Sequence, residues 1–254
     1  MAQPPFIGYV PPDDEAPRPA AVAGPWRSVT RWLIVINVSV FVIDLLLLWA
    51  GQMRPMRTHD GLFIPSHVNP DGSVAVAGQP VLASLGYFSV DMAIRGVQVW
   101  RFVTYQFVHA NIEHIVLNML ALLLAGPIVE QRMGRGRYLL FYLVCGTAGP
   151  AAHIALSLMG VMSLNAYTPL VGASASIYGV LMAAAAIAPD EVVELAIPPI
   201  DLKLRTFALL MVALSLFAVT LRWQNAGGHA AHLGGALAGW FLSRHFRRPV
   251  RAPA

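Results

Sequence analysis

Six stretches of the chain are apolar almost without interruption: 32–50, 112–130, 138–162, 170–188, 204–221 and 226–243. A helix needs about 20 apolar residues to cross the hydrocarbon of a bilayer, and each stretch approaches that length. None alternates apolar and polar residues with period two, so nothing in the pattern suggests a membrane barrel. The pattern predicts an all-α fold, a polytopic bundle of six transmembrane helices. The longest connection is 51–111. Its first part is punctuated by Pro65, Asn69, Pro70, Asp71 and Gly72; its later part is apolar and aromatic but interrupted by charge. That later part is expected to lie in the outer interface, where Trp and Tyr prefer to sit. Residues 1–28 are rich in Pro and Ala and read as a disordered cytoplasmic tail. A six-span membrane domain is expected over 29–246, followed by a short basic tail over 247–254.

Composition agrees with this pattern. The chain is 57% hydrophobic and 12% charged, against about 25% charged in a soluble domain. With the N-terminus placed inside, twelve of the 17 Lys and Arg fall on inner segments. Positive charge favours the cytoplasmic side, so both termini are predicted there. The net charge of +4 then reflects topology and contact with anionic lipid headgroups rather than a nucleic-acid partner. No apolar core precedes the first span, so no cleaved signal peptide is expected. The single Cys145 allows no intramolecular disulfide and reads as a packing residue. No metal-ligand spacing is present and no cofactor is implied. His109 and His114 are five apart, not the four of a zinc-binding HExxH helix. The absence of a defensible internal repeat argues against a transporter.

Polar groups within the spans carry the chemistry. Such groups are costly in hydrocarbon, usually face the protein interior and usually mark function. Spans two, four and six all start at the outer face. At 1.5 Å rise per residue, His114 lies about 3 Å deep, Ser174 about 6 Å, and Asn118 and His232 about 9 Å. Three helices thus bring a serine, two histidines and an amide to one layer, a parts list for acyl transfer. Each group alone would read as a packing hydrogen bond. His114 and Asn118 share a helix face, as do Ser174 and Tyr178. His232 shares a face with Gly235 and Gly239, whose spacing allows close approach of a neighbouring helix. Ser176 points away from Ser174. On spacing alone His229 could replace His232 as a base. His153 reads as a satisfied core histidine, and Asp44 as a structural hydrogen-bonding residue.

Four runs carry a family resemblance: WRFVTYQFVHANIEHIVLNM (100–119), EQRMG (130–134), GASASIYG (172–179) and AHLGGALAG (231–239). Their order and spacing resemble the rhomboid family of intramembrane serine proteases, over about residues 30 to 245. The resemblance implies a Ser–His dyad in a water-accessible cavity, with Ser174 as nucleophile and His232 as general base. It implies His114 and Asn118 at the oxyanion side, with His109 beside them at the loop–helix junction. Tyr178 would be the ring packed against the histidine. Gly172 and Gly235 would be supporting positions, and Trp100 and Arg101 a structural mark of the outer loop. The family usually has glycine after the serine, whereas this chain has Ala175, read as a tolerated small-for-small change whose methyl bears on where the serine sits. Arg135 replaces a more typical small polar residue at a cytoplasmic position.

The implied activity is an endopeptidase that cuts transmembrane-segment peptide bonds of single-span membrane-protein substrates, within lipid and without metal. The alternative is a catalytically impaired relative acting as a membrane chaperone or adaptor. The Ala- and Gly-rich composition leans towards a bacterial plasma membrane.

Overall fold

The computed structural model describes residues 28–62, 65–68, 74–76, 78–163, 165–196, 199–223 and 225–244. Apart from Ser28, the two expected tails lie outside the described residues. The chain is mostly helical, with helices α1 (Val29–Trp49), α2 (Val81–Gly86), α3 (Arg101–Thr104), α4 (Ile112–Met133), α5 (Arg135–Leu158), α6 (Ser174–Ile187), α7 (Leu204–Thr220) and α8 (Ala226–Ser243). Helices α1, α4 and α5 are long and apolar enough to cross a membrane; α6 and α7 are shorter apolar helices. The chain is an integral membrane protein.

Short strands modify the all-α expectation. In the 51–111 loop, β1 (Arg54–Pro55) pairs antiparallel with β4 (Gly78–Gln79), and β2 (Pro65–Val68) with β3 (Val74–Val76). Between α6 and α7, β5 (Val192–Ala196) pairs with β6 (Pro199–Lys203). Pairing over two to five residues leaves little periodic signal to read in a sequence.

Helix α6 is the axis of the bundle. It packs on α4, α5, α7 and α8, and Ala175, Ser176, Gly179, Ala183 and Ala184 are buried along it. Small residues allow this, because transmembrane helices associate by close backbone packing rather than by exclusion of water. A side chain on Gly239 would collide with the Gly179 backbone of α6. Outward faces carry large apolar residues, among them Leu46 on α1, Leu117 and Leu120 on α4 and Leu209 on α7, as lipid contact requires.

Polar clusters fix the helix ends. The Glu130 carboxylate on α4 accepts from the backbone N–H groups of Val29 and Thr30 at 2.6 and 3.0 Å and from the Ser28 and Thr30 hydroxyls. It thereby caps the start of α1. Gly134, at φ +77°, makes the tight turn from α4 into α5. At the other face, Asp44 of α1 accepts from the N–H groups of Leu82 and Ala83 at 2.6 and 2.8 Å, at the start of α2. Arg101, 3% exposed, donates to the carbonyls of Ser84 and Tyr87 at the end of α2. A carboxylate at one end of α2 and a guanidinium at the other both oppose its dipole.

Candidate active site

The approach to Ser174 is pinned by backbone bonds. Phe88 and Leu170 exchange N–H···O bonds at 3.0 and 2.7 Å, and the Gly172 N–H donates to the Tyr105 carbonyl at 2.9 Å. Gly172 has φ +117°, a conformation that L side chains rarely adopt. A methyl on Gly172 would lie 2.6 Å from His114 Cε1 and 3.7 Å from Ser174 Oγ. The His114 ring and the Ser174 hydroxyl therefore flank one glycine. Helix α6 begins at Ser174, so the first N–H groups of that helix have no intrahelical acceptor.

Ser174 and His232 meet. Ser174 Oγ and His232 Nε2 are 2.8 Å apart, both half-buried. The Tyr178 ring lies on the His232 ring, with centroids 4.3 Å apart and planes 12° from parallel. Helix packing permits this contact: Gly235, one turn past His232, lies directly on the Ala175 carbonyl of α6. The Ala175 methyl points instead towards Gly149, where a side chain would come within 2.8 Å of it. The missing side chain at Gly149 thus makes room for the alanine, and the serine keeps its bonding distance to the histidine.

The other expected residues stand at varying removes. The His109 ring packs edge-on against His114 at 5.1 Å, and no contact links it to Ser174. Burial, with His114 adding, holds the His109 imidazole down at about 3, so it is neutral at pH 7. The Asn118 amide donates to the His114 carbonyl at 2.7 Å, one turn back on its own helix. That bond uses one of the two N–H groups of the amide and leaves the second to donate elsewhere. Ser176 is fully buried and donates to Gln106 Oε1 at 2.8 Å, facing away from His232. His229 Nδ1 meets Ser215 Oγ at 3.3 Å rather than Ser174. His153 is buried, but its Nδ1 has no hydrogen-bond partner among the described residues, so the expectation of a satisfied core histidine fails at that atom. Asp44 is engaged by α2, as its structural reading requires.

Sequence reasoning missed two residues. Gln106 is fully buried and holds Ser176. Ser215, also fully buried, lies 3.4 Å from His232 Nδ1. A polar residue inside the apolar run of α7 was the available signal for Ser215. Among the described residues, cavities of about 350 Å³ and about 450 Å³ open in the 51–111 loop and beside the C-terminal end of α1. Neither is lined by Ser174 or His232. No His, Cys, Asp and Glu group among the described residues could hold a metal ion.

A serine hydroxyl on an imidazole nitrogen, at the start of a helix and beside further polar groups, is suited to nucleophilic acyl transfer. A family model described as the Rhomboid domain matches residues 96–249. The chain is 27% identical over 231 residues to the mitochondrial RHOMBOID-like protein 6 of Arabidopsis thaliana, covering 85% of this chain and 70% of that protein. It is 25% identical over 231 residues to RHOMBOID-like protein 1 of the same plant, covering 89% of this chain and 54% of that one. Rhomboid protease GluP of Bacillus subtilis is 29% identical over 145 residues, covering 57% of this chain and 25% of that protein. The chain thus spans about half the length of the second of these relatives and a quarter of the third. These relatives carry mitochondrial as well as bacterial names and do not single out the bacterial plasma membrane expected from composition.

Proposed function

The chain belongs to the rhomboid family, and from that premise we propose that it is an intramembrane serine endopeptidase working through a Ser174–His232 dyad. The observation that carries the reading is the 2.8 Å contact between Ser174 Oγ and His232 Nε2 beneath the stacked Tyr178 ring. The six apolar stretches are read as six spans, with α6 as a short central helix, α7 as a short helix beside it and α8 as the sixth.

Ser174 Oγ attacks the carbonyl carbon of the scissile peptide bond while His232 Nε2 takes the hydroxyl proton. The carbonyl oxygen becomes an oxyanion. The free N–H groups at the start of α6 and the positive end of its dipole stabilise it. His114, across Gly172, adds a donor. Asn118 adds another through the amide N–H that its bond to the His114 carbonyl leaves over. The intermediate collapses, the C–N bond breaks, and His232 gives its proton to the leaving amine. Water then attacks the acyl-serine, His232 takes a proton from it, and a second collapse frees the carboxyl product and restores the serine hydroxyl.

Substrates on this reading are single-span membrane proteins. A membrane helix has its carbonyls bonded within itself, so the cut segment must unwind before Ser174 reaches it. The alternative, a catalytically impaired chaperone or adaptor, loses ground because serine and histidine are both present and in contact. Activity-based labelling of the full chain in detergent with a fluorophosphonate tests the reading. Covalent labelling that depends on Ser174 supports it. An unlabelled, folded chain that still co-purifies with membrane proteins favours the adaptor.

A further inference from the structure

For His232 to act as a base at Nε2, its ring must carry its proton on Nδ1. In a serine triad a buried carboxylate enforces this by accepting from Nδ1–H. Among the described residues no carboxylate meets Nδ1; Ser215 Oγ does, at 3.4 Å. A hydroxyl can donate as well as accept, so on its own it would tolerate either tautomer of the ring. Its other partners remove that freedom.

Ser215 Oγ lies 3.2 Å from the Tyr178 hydroxyl, which in turn lies 3.4 Å from the Met211 carbonyl. A backbone carbonyl can only accept. Tyr178 therefore spends its one proton on Met211, and its oxygen is left to accept. Ser215 spends its one proton on Tyr178 and is likewise left to accept. What Ser215 accepts is the Nδ1–H of His232, which leaves the Nε2 lone pair facing the Ser174 hydroxyl. The second lone pair of Ser215 can take the Nδ1–H of His229, at 3.3 Å. The chain of bonds runs one way, from Ser174 through His232, Ser215 and Tyr178 to a carbonyl of α7.

We propose that Ser215 is the positioning residue of the dyad, and that the relay through Tyr178 to the Met211 carbonyl fixes the His232 tautomer in the role a carboxylate has in a triad. The catalytic part of this rests on the protease reading; the tautomer does not. Tyr178 thereby supports the histidine twice, since its ring stacks on His232 while its hydroxyl sets the direction of the relay.

Two readouts on the full chain in detergent test the relay. Nitrogen-15 NMR of labelled histidine, with His232 assigned by difference against His232→Ala, reports which ring nitrogen holds the proton. The expected parent spectrum shows His232 protonated at Nδ1 and bare at Nε2, and Ser215→Ala and Tyr178→Phe each admit the Nε2–H form. Fluorophosphonate labelling should slow about three- to tenfold in Ser215→Ala, the effect of one neutral hydrogen bond. Probe affinity should hold, and Ser215→Thr, which keeps the hydroxyl, should recover the rate. A parent His232 protonated at Nε2, or a Ser215→Ala spectrum identical to the parent's, overturns the relay. If the parent shows the Nδ1–H tautomer yet never labels, the relay stands and the protease reading falls.

Discussion

Gly235 of α8 rests on the Ala175 carbonyl of α6 with no space for a side chain between them. Ala175 follows the serine directly, and Gly235 is one turn beyond the histidine. This glycine therefore sets how closely the two halves of the dyad can approach.

Replacing Gly235 by alanine should force the helices apart. Overpacking of this kind costs about 1–3 kcal/mol, and here the displacement falls on the 2.8 Å contact of Ser174 with His232. The expected outcome is a lower melting temperature in detergent and loss of fluorophosphonate labelling. Gly136→Ala is the control, because a methyl there meets nothing within 4 Å, and it should label like the parent. Full labelling in Gly235→Ala would show that the contact does not depend on this packing.

Ser174→Ala and His232→Ala should each abolish labelling in a chain that still folds. Ser176→Ala separates chemistry from packing. It removes the buried bond to Gln106 and should lower stability by about 1–3 kcal/mol, the cost of an unsatisfied buried acceptor. Labelling should survive at temperatures where the variant is folded. Dependence of labelling on Ser176 with independence from Ser174 would overturn the assignment of the nucleophile.

Apolar run length alone located the long helices, because a span must satisfy its backbone internally and so advertises itself as an unbroken apolar stretch. The run at 112–130 became α4 over Ile112–Met133, and that at 204–221 became α7 over Leu204–Thr220. Polar residues in such runs are costly enough that Ser174 and His232 stood out, and their shared depth anticipated the contact. Depth did not show that one Asn118 N–H is given to the His114 carbonyl: it says which layer a group occupies, not which acceptor it prefers, and that carbonyl was a turn away. Ser215 was overlooked because a lone serine in a span bonds its own helix too cheaply to be conspicuous. The capping of α1 by Glu130 joins segments about a hundred positions apart, a relation that no local pattern encodes.

Asp44 offers a test of whether a carboxylate takes part in the chemistry. Its two oxygens hold the Leu82 and Ala83 N–H groups, so Asp44→Ala leaves the start of α2 without its acceptor. Loss of such a cap costs about 0.5–2 kcal/mol. The variant should melt lower and still label with fluorophosphonate below its melting temperature, while Asp44→Asn, which keeps one acceptor, should melt in between. Abolished labelling with an unchanged melting temperature would instead make Asp44 part of the catalytic group.

The direction from which water and substrate reach Ser174 depends on topology, and two single cysteines decide it. Ser174 is the first residue of α6, on the side of the connection that carries Asn165; Arg135 opens α5 at the turn made by Gly134. Both positions are exposed, and the native Cys145 is fully buried, so reaction with a thiol reagent reports the side of the membrane rather than accessibility within the fold. By the positive-inside rule, the excess of Lys and Arg on the segments that include Arg132, Arg135 and Arg137 predicts that this side faces the cytoplasm. In intact cells, Asn165→Cys should react with an impermeant maleimide, and Arg135→Cys should react only after permeabilisation. The opposite pattern would turn the protein over, and the hydroxyl of Ser174 would then open to the cytoplasm.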